Sequence, residues 1–171
     1  MPIVSAMSYV ASLLQDMTPP GDTGIRAPIS ALITPLDPDV MPDGIARAYV
    51  WPAKGPEKRL AMPRNTGPGT KAGWKMLTHD LQIFLVWMDS NADPNIDVNF
   101  PLLIDWVMHL LRTSSPNPKV WTDTYTGKVS QMLNLGEVMS YDYVPPRTTA
   151  EQGWFRYDAR ITCSLVEQFQ D

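Results

Sequence analysis

Chemistry-bearing residues are scarce in this chain. It has one cysteine and two histidines in 171 residues, and only 19% of its residues are charged. The single cysteine, Cys163, excludes an internal disulfide and suits a reducing compartment. No basic excess exists either: 14 Lys and Arg stand against 18 Asp and Glu, a net charge of −4. A general nucleic-acid binder draws its affinity from a basic surface, so that class is disfavoured. No apolar run reaches the ~20 residues that a membrane-spanning helix needs. Met1–Ser8 shows no basic leader ahead of an apolar stretch, so no signal peptide is expected. The expectation is a soluble product, made inside the cell, with no membrane partner.

What the chain does have is apolar surface and proline. With 44% hydrophobic residues it is globular rather than disordered, and its length suits one domain over residues 1–171. Its 17 prolines are about twice the usual frequency of ~5%. They concentrate in 19–45 and 52–73, which read as long Pro/Gly-rich loops.

The stretch Gly73–Ser114 is the most apolar part of the chain. Trp74–Met88 reads as a strand, alternating at first and then apolar on both faces from Ile83 to Met88. That change predicts cover on both sides at its far end, by helices or by another subunit. Phe100–Arg112 reads as a helix capped by Asn99. Its polar residues Asp105, His109 and Arg112 form so thin a stripe that burial around most of the circumference is expected. Elsewhere, Ser5–Met17 has the spacing of an amphipathic helix, capped by Ser5 and stopped by Pro19. Ala46–Trp51 reads as a short strand, while Ile29–Ile33 is too short to classify. Val120–Thr126 suits an extended arm or short hairpin. Residues 131–144 suit one strand interrupted at Gly136, followed by a polar loop over 145–153. From Phe155 to Leu165 strict alternation predicts a half-buried antiparallel strand with its odd-numbered face inward. The class is α+β: an antiparallel or mixed sheet of about four or five strands on two main helices.

Candidate sites are few, and each has a plain alternative. Loop 52–73 carries Lys54, Lys58, Arg59, Arg64 and Lys71 against Glu57 alone, the one basic concentration in an acidic chain. A loop beyond ~12–15 residues is usually functional or disordered. Contact with a neighbouring subunit or passing DNA is one reading of it, and a solvated hairpin tip is the other. Gly67–Gly73 resembles a phosphate loop but lacks the Gly-Lys-Ser/Thr order and precedes a strand. Asp89–Asp97 alternates oxygen donors, yet Pro94 and Phe100 occupy the places where a calcium loop wants Gly and Glu. Asx turn chemistry suits it better. His79 lacks companion ligands and reads as a packed residue. Asp105 and His109 lack a nucleophile and read as a surface ion pair. Cys163 reads as a small core residue. No enzyme signature and no cofactor or metal site emerge.

The N-terminal helix, the strand Ala46–Trp51, the long strand Trp74–Met88 running into helix Phe100–Arg112, and the closing pair Val138–Val144 and Trp154–Glu167 form an ordered series. This order resembles the tail terminator, or tail completion, proteins of long-tailed bacteriophages. The resemblance spans most of the chain and is one of architecture, without a diagnostic motif. It implies a homo-oligomeric ring, commonly a hexamer, that caps the tail tube and joins it to the head–tail connector. Polymerisation would stop there, and genomic DNA would pass without sequence-specific binding. It implies a place in the virion tail or neck, after assembly in the host cytoplasm. Trp51, Trp74, Leu85, Trp87 and Trp154 are then expected as interface anchors. The loops 19–45 and 52–73 are longer than such a protein needs. A different connector, neck or tail-tube subunit fits the same residues, and a small intracellular enzyme or a calcium-dependent module fits them less well.

Overall fold

The computed structural model describes residues 2–23, 25, 28–33, 45–53, 58–61, 74–89, 96–113, 119–122, 129–135, 139–149 and 154–170. Residues 54–57, 62–73 and 90–95 lie outside them, and so do most of the basic loop and the Asp/Asn loop.

The fold is α+β. Helix α1 (Pro2–Leu14) and helix α2 (Ile96–Thr113) pack on a single mixed sheet. Its five longer strands are β2 (Arg47–Pro52), β4 (Trp74–Asp89), β6 (Val129–Leu135), β7 (Ser140–Thr149) and β8 (Trp154–Gln170). Three strands of three or four residues extend it: β1 (Ser30–Leu32), β3 (Lys58–Ala61) and β5 (Lys119–Thr122).

The sheet is organised around one long antiparallel ribbon. β4 and β8 pair over 16 consecutive positions, from Trp74↔Gln170 to Asp89↔Phe155. On the outer side of β4, strands β2 and β3 lie end to end, pairing with 81–86 and 75–78. On the outer side of β8, β7 and β6 do the same, against 154–162 and 165–168. β1 adds to β2 in parallel and β5 adds to β6.

Period-2 alternation decides which face is dry. Leu81, Ile83, Leu85 and Trp87 of β4 and Tyr157, Ala159, Ile161 and Cys163 of β8 are buried and share the core with both helices. The odd-numbered face of β8 is inward, as its alternation requires. Along β2 the same layer receives Ala48 and Val50, which pair with Leu85 and Ile83. Under α2, Phe100 packs 5.5 Å from Tyr157 and 5.8 Å from Tyr143, while Trp87 lies 5.8 Å from Tyr157 (ring centroids).

Several local expectations are corrected. α1 begins at Pro2, so Ser5 lies within it and is not its cap; proline is well suited to a first helical position, where its missing N–H costs nothing. The helix ends ahead of Pro19, where Asp16 takes a left-handed conformation with φ 63°. The N–H of Asp16 then donates to Ile29, that of Ile29 to Met17, and that of Ala31 to the Gln15 side chain, which ties the helix end to β1. α2 starts at Ile96, so Asn99 is not its cap, and Pro101 sits inside the helix. Burial of Phe100 in line with Leu103, Ile104, Val107 and Leu111 holds that early turn in place despite the hydrogen bond Pro101 cannot make. α2 is also less enclosed than its narrow polar stripe implied. Leu102 and Val98 are exposed, and Trp106 and Leu110 are only partly covered.

The stretch 131–144 is two strands, not one, and β7 continues through Pro145 and Pro146 rather than ending in a loop. Both strands pair with β8, and the register shifts between Val144 and Arg147. Among the described residues β7 has one partner strand, so the two prolines occupy an edge, where a missing N–H is tolerated.

Candidate functional site: the open face of the sheet

Both helices cover the odd-numbered face of β4 and β8, which leaves the even-numbered face without a helix among the described residues. The strand register arranges the side chains of that second face in rows across the sheet. Trp51, Gln82, Thr162 and Ser140 form one row. Tyr49, Phe84, Arg160 and Asp142 form the next, and Asp80 lies opposite Ser164 on the other side of the first. Adjacent strands lie about 4.8 Å apart, so a row of four spans roughly 14 Å.

Several contacts fix this surface. The Ser164 hydroxyl donates to Asp80 at 2.6 Å. The Arg160 guanidinium sits 5.1 Å from the centroid of the Phe84 ring, a cation–π arrangement. Arg156 donates its Nε–H to both carboxylate oxygens of Asp158 at 2.9 Å. Tyr49 is buried beside them, and among the described residues its hydroxyl has no hydrogen-bond partner. Burial pushes that phenol up, against the opposing pull of Arg47 and Arg156. Between these groups lies an open depression of about 810 Å³, lined by Trp51, Asp80, Gln82, Phe84, Arg160 and Thr162 among others. Trp51 stands 42% exposed at its side.

The two-sided apolar end of β4 is therefore covered partly from within. Val86 is buried on the second face, and Phe84 is half-buried with Arg160 laid over it. Leu85 and Trp87 face the helices. Leu85 is fully buried and Trp87 belongs to the aromatic cluster under α2, so neither is available as a surface anchor. Trp51 is on the open face. Trp74 and Trp154 begin β4 and β8, at register positions opposite Gln170 and Thr149. Lys58 and Arg59 belong to β3 and pair with Thr78 and Leu77, whereas Lys54, Arg64 and Lys71 lie outside the described residues.

One polar pair escaped sequence reasoning. His79 Nε2 and Glu167 Oε2 lie 2.8 Å apart, with the residues 2% and 4% exposed. Parity held the clue, because both occupy odd positions on strands whose odd faces are inward; only the register of β4 against β8 was missing. A His–Glu dyad can move protons, but this one is sealed from solvent and serves the packing of the ribbon. Asp105 and His109 are both exposed on α2. Burial, and secondarily the charge of Asp80, pushes the Cys163 thiol up to about 12, so it is protonated at neutral pH and is no nucleophile. Among the described residues no three His, Cys, Asp or Glu side chains group to hold a metal ion, and no helix is long and apolar enough to cross a membrane.

No protein-family model matches the chain, and no curated protein matches it.

Proposed function

We propose that this chain is a structural subunit of a long-tailed phage, closing into a ring that caps the tail tube and joins it to the head–tail connector. The observation that carries the reading is a sheet covered by helices on one face and, among the described residues, by none on the other. Its open face carries a projecting Trp51 beside a polar depression. Exposed tryptophan beside polar side chains suits the core of an interface. The element order supports the same reading, as does a net charge of −4, which lets DNA slide through a channel without sticking.

In this reading a hexameric homo-oligomer is the working form, placed in the virion neck after assembly in the host cytoplasm. The basic residues of 54–71 meet a neighbouring subunit or the passing DNA. A connector, neck or tail-tube subunit is the nearest alternative.

Polymerising tail-tube protein in the presence of the purified chain tests the proposal. Tubes whose growth stops, with a ring at one end in negative stain, are the expected result. Unlimited polymerisation of the chain itself points to a tube subunit, and free tubes with no bound ring overturn the proposal.

A further inference from the structure

Helix α2 carries an apolar row that the core does not absorb. Val98, Leu102, Trp106 and Leu110 recur every fourth residue, the spacing of one ridge along a helix. Val98 is 63% and Leu102 37% exposed, while Trp106 and Leu110 are only partly buried against the core. Beside this row Asp105, His109 and Arg112 are exposed. The acid lies nearer the start of the helix and the base lies in its last turn. Among the described residues none of these three side chains has an ion-pair partner.

A ridge of every fourth residue packs against the same ridge of another helix. The order of the charges then selects the occupant and its direction. Two copies of α2 packed in parallel set Asp105 beside Asp105 and Arg112 beside Arg112, like against like. Packed antiparallel, they set acid against base at both ends of the contact. We infer that α2 packs antiparallel on α2 of a second copy of this chain, about a two-fold axis. Trp106 of each copy meets Leu110 of the other. Asp105 then stands one residue, about 1.5 Å of helix, from the level of Arg112 of the second copy, and symmetry forms that ion pair twice. A two-fold contact joins two copies and stops, whereas ring closure joins two different surfaces of neighbouring chains. The inference therefore goes beyond the ring and does not rest on it.

Cross-linking of the full chain with a short bis-maleimide, together with sedimentation equilibrium, tests it. His109→Cys lies near the two-fold axis and is expected to cross-link to its own mate in the second copy. Val98→Cys is also exposed, but an antiparallel pair holds it about 30 Å from its mate, so no cross-link is expected. The native Cys163 is buried and takes no part. Asp105→Arg and Arg112→Asp are each expected to weaken pairing about tenfold, because each change turns two ion pairs into repulsions. The variant with both changes exchanges acid and base, and it is expected to pair as the parent does. Circular dichroism confirms that each variant is folded. Equal cross-linking at the two cysteine positions, single reversals that leave pairing unchanged, a doubly changed variant no better than the singles, or no pairing at any concentration overturns the inference. Rings that form without a cross-link at His109→Cys overturn it and leave the ring standing. Paired chains that form no ring and meet no tube support it and sink the ring.

Discussion

His79 and Glu167 meet at 2.8 Å across the β4–β8 ribbon, and both are buried. Taking two polar groups out of water is costly, and the loss is recovered only while each has the other. Glu167→Leu is therefore expected to destabilise the chain by about 1–3 kcal/mol, because it leaves a buried imidazole unpaired. His79→Leu, Glu167→Leu and the variant with both changes close a cycle with the parent, read by their urea midpoints, in which the double change is expected to cost less than the sum of the two singles. A double variant as unstable as the sum of the singles contradicts the coupling.

Cys163 reports on the core by titration. Its folded thiol is pushed to about 12 against an ordinary 9.0, so the folded chain holds a proton that the unfolded chain releases. Stability from this group is complete below pH 9 and is lost as pH rises toward 12. The slope is about 1.4 kcal/mol for each pH unit between those values. Cys163→Ala is expected to unfold more easily than the parent at pH 7 and to lose less stability between pH 9 and 10.5. Parallel stability curves over that interval count against burial of the thiol.

Leu85 and Trp51 sit on opposite faces of the sheet, so their substitutions should separate folding from assembly. Leu85→Ala opens a cavity in the core and is expected to cost about 2–5 kcal/mol. Leu85→Asp is expected to abolish the fold. Trp51→Ala is expected to leave the unfolding midpoint nearly unchanged and to reduce assembly. A Trp51→Ala protein that assembles normally removes this residue from any interface.

The basic run is tested by reversing Lys58 and Arg59 to Glu. Neighbour contact or DNA passage predicts impaired particle yield with an unchanged thermal midpoint. Normal yield returns the run to a solvated strand edge.

The parts of the fold set by local alternation were legible in the sequence. Phe155–Leu165 alternates without interruption, and Tyr157, Ala159, Ile161, Cys163 and Leu165 of its odd face are buried. Trp74–Met88 was likewise readable as a long strand. What was not legible depends on pairing between distant segments. β6 and β7 looked like one interrupted strand because both continue the same apolar pattern, and only their shared partner β8 shows them to be two. Proline misled at Pro145–Pro146, where an edge position removes its usual penalty. Leu85 and Trp87 were expected at an interface because an apolar run does not say which face the helices cover. The His79–Glu167 pair and the rows of the open face are products of register, which no single strand encodes.

Closure into a ring is decided by the mass of the purified assembly in solution. Light scattering across a hundredfold range of concentration, alone and with tail tubes, is expected to give one discrete multiple of the chain mass or a monomer that becomes a ring on tubes. A chain that stays monomeric throughout and binds neither tubes nor connectors does not form the ring.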